Sequence, residues 1–228
     1  SETWQEVLQK ALELGMDLAA GLHKRLADVP ALKQTAEAQG RKLFDVRHPT
    51  QDFSVASGEK RPGKRLLAVG TDCSVGKMYT TLALEHEMRQ RGLKADFRAT
   101  GQTGIFIAGS GVSVDAVVAD FISGAVEWLA PGNEEDHWDL IEVQGSLFHA
   151  SYAGVSLGLL HGSQADALVL CHEPTRAHMR GLPGYQLPDL ELCMQRNIEC
   201  GQLTNPDVRF VGIAVNTSGM AAGEGEDY

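Results

Sequence analysis

Arg65-Leu66-Leu67-Ala68-Val69-Gly70-Thr71-Asp72-Cys73-Ser74-Val75-Gly76-Lys77-Met78-Tyr79-Thr80-Thr81 is the stretch whose reading decides the fold. It opens as a short apolar run of strand type, breaks into a loop closed by Gly76-Lys77, and resumes as the helical pattern Tyr79–Glu85. Strand, glycine-bounded loop, lysine and helix make the P-loop plan. In that plan successive backbone N–H groups curl round an anion, the helix N-terminus adds partial positive charge, and the lysine supplies a full one. Gly70, Thr71, Asp72, Cys73, Ser74, Val75, Gly76, Lys77, Met78 and Tyr79 are therefore expected to cradle a phosphate group. Two details depart from the common pattern. Five residues rather than four separate Gly70 from Gly76, and Met78 stands where Ser or Thr would place a hydroxyl on magnesium. Thr80 and Thr81 lie further along, about 3 to 4.5 Å deeper into the helix at roughly 1.5 Å per residue. Phosphate binding follows from this loop; Mg-dependent nucleotide hydrolysis does not.

Downstream, strand and helix patterns alternate, as in a parallel sheet flanked by helices. Lys94–Arg98 reads as a strand running into the small-residue loop Ala99–Gly104, with Gln102 and Thr103 as candidate ligand contacts at the sheet edge. Val112–Leu129 reads as one helix, and Asp115 near its start is expected to interact with the helix dipole. Trp138–Val143 reads as a strand bearing Glu142, followed by Gln144-Gly145. A carboxylate at the end of an apolar strand, before a glycine turn, is placed to face bound phosphates, so Glu142 is the leading catalytic or metal-facing acid. His149 in the same loop can titrate near neutral pH or can cap a helix. Gly154–His161 reads as a helix, and Ala165–Cys171 as a buried parallel strand that delivers Cys171–Gly181 to the same edge. Arg176, His178 and Arg180 there could clamp a carboxylate or phosphate, which guanidinium groups bind in bidentate fashion. Leu187–Arg196 reads as a helix and Val208–Val215 as the last strand. Asn216 after it can read a purine edge or cap the next element.

Upstream, residues 3–14 carry apolar positions at helical spacing, Met16–Leu22 reads as a strand, Val29–Gly40 as a helix entered through Pro30, and Leu43–Val46 as another strand. The run Gly21–Arg25 sits at a strand end, where open α/β sheets bind ligands, although His23 itself is expected to be a surface or packing residue. The polar segment His48–Lys64 reads as a linker. The expected division is thus residues 1–47 as the C-terminal part of a small Rossmann-like domain, 48–64 as linker, and 65–228 as the P-loop domain. The start at Ser1 and the helix-entry-like run Gly219–Tyr228 read as cut ends, with an upstream strand and the P-loop domain's last helix expected to be missing.

Composition narrows the function classes. At 228 residues, 43% hydrophobic and 22% charged, the chain is that of an ordinary globular protein with a sizeable core. A formal charge of −10 argues against general nucleic-acid binding, which needs a basic face. Four cysteines without a CxxC or a paired framework point to a reducing, cytoplasmic compartment. No apolar run approaches the roughly 18 residues a membrane helix needs, and no leader pattern is present.

Two family likenesses stand on these residues. Thr71–Lys77 resembles the loop of dethiobiotin synthetase, which has the same longer spacing, but there Thr follows the lysine and an acidic glycine-rich turn replaces Glu142–Gly145. The closer resemblance is to the DgcN family of P-loop proteins, linked to D-glutamate N-acetyltransferase activity. Gly70–Thr80, Gly101–Gly104, Glu142–His149 and His172–Arg180 carry it in that order, and it covers essentially the whole chain.

The resemblance implies acetyl transfer from acetyl-CoA, as co-substrate, to the amine of D-glutamate, with the P-loop gripping a CoA phosphate and no metal required. Glu142, His149 or Asp72 would be the general base, because the amine must lose a proton before it attacks. Gln144 or Lys77 would stabilise the developing oxyanion. Arg98, Arg176 or Arg180, with Gln102 and Thr103, would hold the substrate. A homodimer is expected from the family alone. Two rivals stand beside this reading: an Mg-ATP-dependent kinase or ligase of dethiobiotin-synthetase type, and a non-catalytic nucleotide or CoA sensor.

Overall fold

A computed structural model of the protein describes residues 3–221 and 223–225. Its first unit is small. Helix α1 (Trp4–Glu13) begins at a capping box in which the Thr3 hydroxyl accepts from the Glu6 N–H and the Glu6 carboxylate accepts from the Thr3 N–H. Helix α2 (Pro30–Gln39) starts on a proline, whose missing N–H costs nothing there, and ends on Gly40 in the left-handed conformation. These helices pack through Leu12, Leu26, Leu32 and Ala36 against two short parallel strands, β1 (Leu18–Ala20) and β2 (Leu43–Asp45).

The second unit is a five-stranded parallel sheet in the order β4-β5-β3-β6-β7. Its strands are β3 (Lys64–Gly70), β4 (Ala95–Arg98), β5 (Trp138–Glu142), β6 (Ala167–His172) and β7 (Arg209–Val215). Central β3 is apolar on both faces because both are covered. Leu67 and Val69 face helices α5 (Ile122–Leu129), α6 (Ala153–Ser163) and α7 (Leu190–Gly201), where Val126, Leu159, Leu160 and Cys193 complete the main core. Leu66 and its neighbours face Leu84 and Met88 of α3 (Lys77–Gln90) on the other side. The strand order reverses about β3, so the loops after β3, β5 and β6 gather at one edge of the sheet. Open α/β sheets bind ligands in that crevice.

Three expectations about local structure change. The loop after β4 winds into helix α4 (Gln102–Ala108), which places Gln102 and Thr103 on its first turn. The helix expected over Val112–Leu129 breaks into two 3₁₀ turns, Val114–Ala116 and Ala119–Phe121, before α5 begins at Ile122. β-branched Val114, Val117 and Val118 disfavour helix, and the Ser113 hydroxyl binds the Asp115 carboxylate at 2.8 Å. Asp115 therefore meets no dipole of a long helix; its partner is Arg47. The last helix starts three residues and ends five residues later than expected, from Leu190 to Gly201, and Asp189 caps its start by accepting from the N–H groups of Glu191 and Leu192. The helix-entry reading of Gly219–Tyr228 falls partly outside the described residues, as does Ser1; the described part makes turns.

Segment 48–63 has no helix or strand yet lies tight on the second unit, and Lys64, expected in the linker, already begins β3. Arg61 donates to the carbonyls of Ala130 and Gly162, and Phe53 meets Trp128 edge to face.

Candidate functional site

The β3–α3 loop closes on itself through its own polar groups. The Thr71 N–H extends the β3–β6 ladder to the Cys171 carbonyl, and its hydroxyl pairs with Nδ1 of His172 at 3.0 Å. Ser74 and Gly76 then take positive φ, +54° and +100°, curling the chain so that consecutive amides can face inward. Gly70 cannot carry a side chain here, because a Cβ would lie 2.9 Å from Val75 and 3.2 Å from Cδ of Lys77. Lys77 opens α3, is buried, and donates from Nζ to the Asp72 carbonyl at 2.7 Å. An ammonium has three donors, so this bond leaves capacity for an anion. Burial lowers the Lys77 pKa, partly offset by the nearby Cys73 and Cys171 sulfurs and the Asp72 carboxylate. Neither threonine of α3 opens towards the loop. Thr81 is buried with its hydroxyl on the Lys77 carbonyl, and Thr80 bonds the Cys171 thiol.

Glu142 ends β5 beside this loop and is 2% exposed. Its Oε1 accepts the Thr100 N–H at 3.0 Å and the Gln144 amide at 3.2 Å. Desolvation pushes its pKa above the ordinary carboxylate value, and the N–H groups of Thr100 and Gly101, together with the Lys77 charge, only partly oppose it. The glycines around it are there for room. A Cβ on Gly104 would sit 2.8 Å from Glu142 Oε1, and one on Gly101 would sit 2.6 Å from the Gln144 amide nitrogen.

The other two candidate bases are committed. Asp72 is buried and accepts from Arg176 Nη1 at 2.7 Å, from the Arg180 N–H at 2.7 Å and from the Cys73 N–H at 2.6 Å. Burial alone would raise its pKa; those donors outweigh it and hold the carboxyl below its ordinary value. His149 is buried, stacks on Tyr152, accepts the Ser151 N–H at Nδ1 and so presents Nε2 to the Arg180 carbonyl at 3.0 Å. Arg176 is bonded to the loop. Its guanidinium also donates to the Cys73 carbonyl at 2.6 Å, the Ser74 carbonyl at 3.1 Å and the Glu173 carboxylate at 2.5 Å. Turning those carbonyls outward leaves the loop amides free to face in.

One cleft of about 630 Å³ gathers these parts. Of the expected residues it is lined by Cys73, Ser74, Gly76, Lys77, Met78, Tyr79, Gln102, Thr103, Glu142 and Gln144. Gly70, Thr71, Asp72, Val75, His149, Arg98, Arg176 and Arg180 stand outside the lining. Arg98 is turned to Asp139, at 2.7 Å, and Arg180 contributes its backbone. The lining residues not expected to function include three charged or ionisable ones beside the loop: His23 and Arg47 of the first unit, and Asp115. The signal for the first two was the one that flagged Gly21–Arg25, because Arg47 also follows a strand end.

Among the described residues two side-chain groups have metal-like spacing, Asp72/Cys73/His149 and Asp96/His137/Asp139. In the first, Asp72 is paired with Arg176; in the second, Asp139 is paired with Arg98 and Asp96 with Arg89. All four thiols, Cys73, Cys171, Cys193 and Cys200, are unpaired, and burial raises the pKa of each, Cys193 to about 12. Among the described residues no helix is long and apolar enough to cross a membrane.

Comparison with known proteins agrees with this geometry. Residues 54–228 match the family described as a domain of unknown function, DUF1611, P-loop domain, and residues 1–49 match its N-terminal Rossmann-like domain. The chain is 58% identical over 228 residues to a protein of Tritonibacter scottomollicae and 54% identical over 224 residues to one of a Pseudoalteromonas species. Both relatives are named D-glutamate N-acetyltransferase; the matches cover 100% and 98% of this chain and 68% of each relative. A crystal structure of a DUF1611 family protein from Anabaena variabilis superposes with a TM-score of 0.89 at 37% identity, covering 96% of this chain and 65% of that one.

Proposed function

The chain belongs to the DUF1611 family, and from that premise we propose that it is a D-glutamate N-acetyltransferase whose P-loop grips a phosphate of acetyl-CoA. The observation that carries the reading is a buried carboxylate, Glu142, facing the same cleft as the phosphate-type loop and Lys77. The glycine-tight nest, its outward carbonyls and the spare donors of Lys77 fit a phosphate group.

In the reaction the amine nitrogen forms a bond to the thioester carbonyl carbon, the C–S bond breaks, and CoA leaves as the thiol. The amine must first shed a proton, and Glu142 takes it. A raised pKa makes this carboxylate a stronger base than an ordinary one, provided it is ionised. Asp72 is too strongly paired for that work, and both ring nitrogens of His149 are occupied. Gln144 spends both amide hydrogens on Glu142 and the Thr100 hydroxyl, which leaves Lys77 as the donor for negative charge developing on the carbonyl oxygen.

The reading keeps residues 1–47 as a small Rossmann-like unit, 48–64 as linker and 65–228 as the P-loop domain. The unpaired thiols favour a reducing, cytoplasmic setting, and a homodimer is the expected assembly, testable by light scattering. The decisive experiment follows thiol release from acetyl-CoA with D-glutamate, L-glutamate or no amine, with ATP and magnesium run in parallel. Release that depends on D-glutamate upholds the acetyltransferase. Magnesium-dependent ADP formation in its place would establish the kinase or ligase, and ligand binding without turnover a sensor.

A further inference from the structure

Resting on that reading, we infer that the amino-acid acceptor is recognised at the seam between the two units. Arg47 and His23 of the first unit take its carboxylate, and Asp115 of the second takes its amine.

The cations that the sequence offered for this task are spent elsewhere. Arg176 has both Nη groups taken by Asp72, Glu173 and two loop carbonyls, Arg98 is held by Asp139, and neither they nor Arg180 line the cleft. Among the lining residues the basic groups are Lys77, Arg47 and His23. Lys77 belongs to the phosphate loop, which leaves the other two for the acceptor.

Arg47 is built for recognition. Its side chain is 10% exposed, Nε donates to the Gly21 carbonyl at 2.8 Å and Nη1 pairs with Asp115. Nη2 has no bond to any described residue and remains available. Asp115 is in turn fixed by the Ser113 hydroxyl on Oδ1. A positive and a negative group thus stand side by side on the cleft wall, both oriented before anything binds. An α-amino acid presents the matching pair, a carboxylate and an ammonium on one carbon, and preorganised partners cost little to order on binding. His23 adds a second donor beside the carboxylate position and is itself exposed. The seam is also tight: a Cβ on Gly21 would lie 2.7 Å from Cβ of Gln102, so the strand-end loop that carries His23 lies directly on the first turn of α4. Held this way, the amine lies in the same cleft as Glu142, which receives its proton.

The test is steady-state kinetics, varying each substrate separately, on the wild type, His23→Ala, Arg47→Lys and Asp115→Asn. The expected result is a KM for D-glutamate raised at least tenfold in each variant, with the KM for acetyl-CoA within twofold. Lysine lacks the fork that binds two acceptors at once. His23 is exposed, so its variant remains decisive if either interface variant fails to fold. A KM for D-glutamate unchanged in His23→Ala and in any folded Arg47→Lys would overturn the inference. If the wild type does not turn over, the function falls, and calorimetry with D-glutamate then decides the subsite alone. Binding weakened tenfold in His23→Ala upholds it; equal binding, or none to the wild type, overturns it.

Discussion

The two ends of the five-stranded sheet both bury charge, and they use it differently. Towards the N-terminal end, Arg65 and Asp139 are register partners on β3 and β5, and both are 0% exposed. Arg65 donates to the carbonyls of Arg61 and Pro62, at 3.0 and 2.9 Å, and Asp139 accepts from Arg98. Burial lowers the Arg65 pKa while Asp139 and Asp166 oppose that loss. Asp139 is ion-paired with Arg98, the Arg65 guanidinium rests on carbonyls with Asp139 and Asp166 as its opposing charges, and neither Arg65 nor Asp139 lines the cleft. At the C-terminal end Lys77 and Glu142 are buried almost as deeply on carbonyl and amide partners, but neither has an ion pair among the described residues and both face a cleft. Closed pairs spend their charge on holding strands together. Half-compensated charges keep theirs for a ligand.

The comparison breaks first at Glu142. Glu142→Gln should lower kcat by about 10²- to 10⁴-fold, the usual worth of a positioned base, with KM for acetyl-CoA little changed. Retained turnover would mean that the open end is as structural as the closed one. At the closed end, Asp139→Asn should cost about 3 kcal/mol or more of stability in denaturant titration, because it strands buried guanidinium groups, while both KM values stay put. A shift in KM without loss of stability would make that end part of the site. Arg176→Lys should raise KM for acetyl-CoA roughly tenfold with kcat nearly constant, since a lysine cannot hold the Cys73 and Ser74 carbonyls together.

The smallest effect is a matter of sign. Glu142 has a folded pKa above its unfolded value, so its contribution to stability is present below the unfolded pKa and lost as pH rises through the folded one. Glu142→Gln should therefore be more stable than the wild type at neutral pH and should lose that advantage in acid, as thermal melts at the two pH values would read. In the wild type, kcat/KM should rise with pH through a point above the ordinary carboxylate value near 4.3, as the base ionises.

Much of this was legible in the sequence because local rules carried it. The phosphate loop announced itself by glycine spacing and lysine, and Glu142 by its place at the end of an apolar strand before a glycine turn. Asp115 was misread because a short hydroxyl–carboxylate bond and three valines outweighed an apolar pattern that looked helical. Arg47 could not be weighed at all. Its partner lies 68 residues away, on a different sheet unit, and only the docking of the two brings them together. Arg176 was read as a ligand clamp because an arginine at a sheet edge looks the same in sequence whether its acceptors are a substrate or the loop's own carbonyls.

The four raised thiol pKa values carry a consequence for the bench. One product of the proposed reaction is itself a thiol, detected with disulfide or alkylating reagents that react with thiolates. Burial raises all four thiol pKa values, so the folded protein should react slowly with such reagents, and free CoA released in the proposed reaction should stand above a low background. Unfolding lays bare the buried Cys171 and Cys193, so their reaction with the same reagent, added without substrate, becomes a clock for how often the native chain opens.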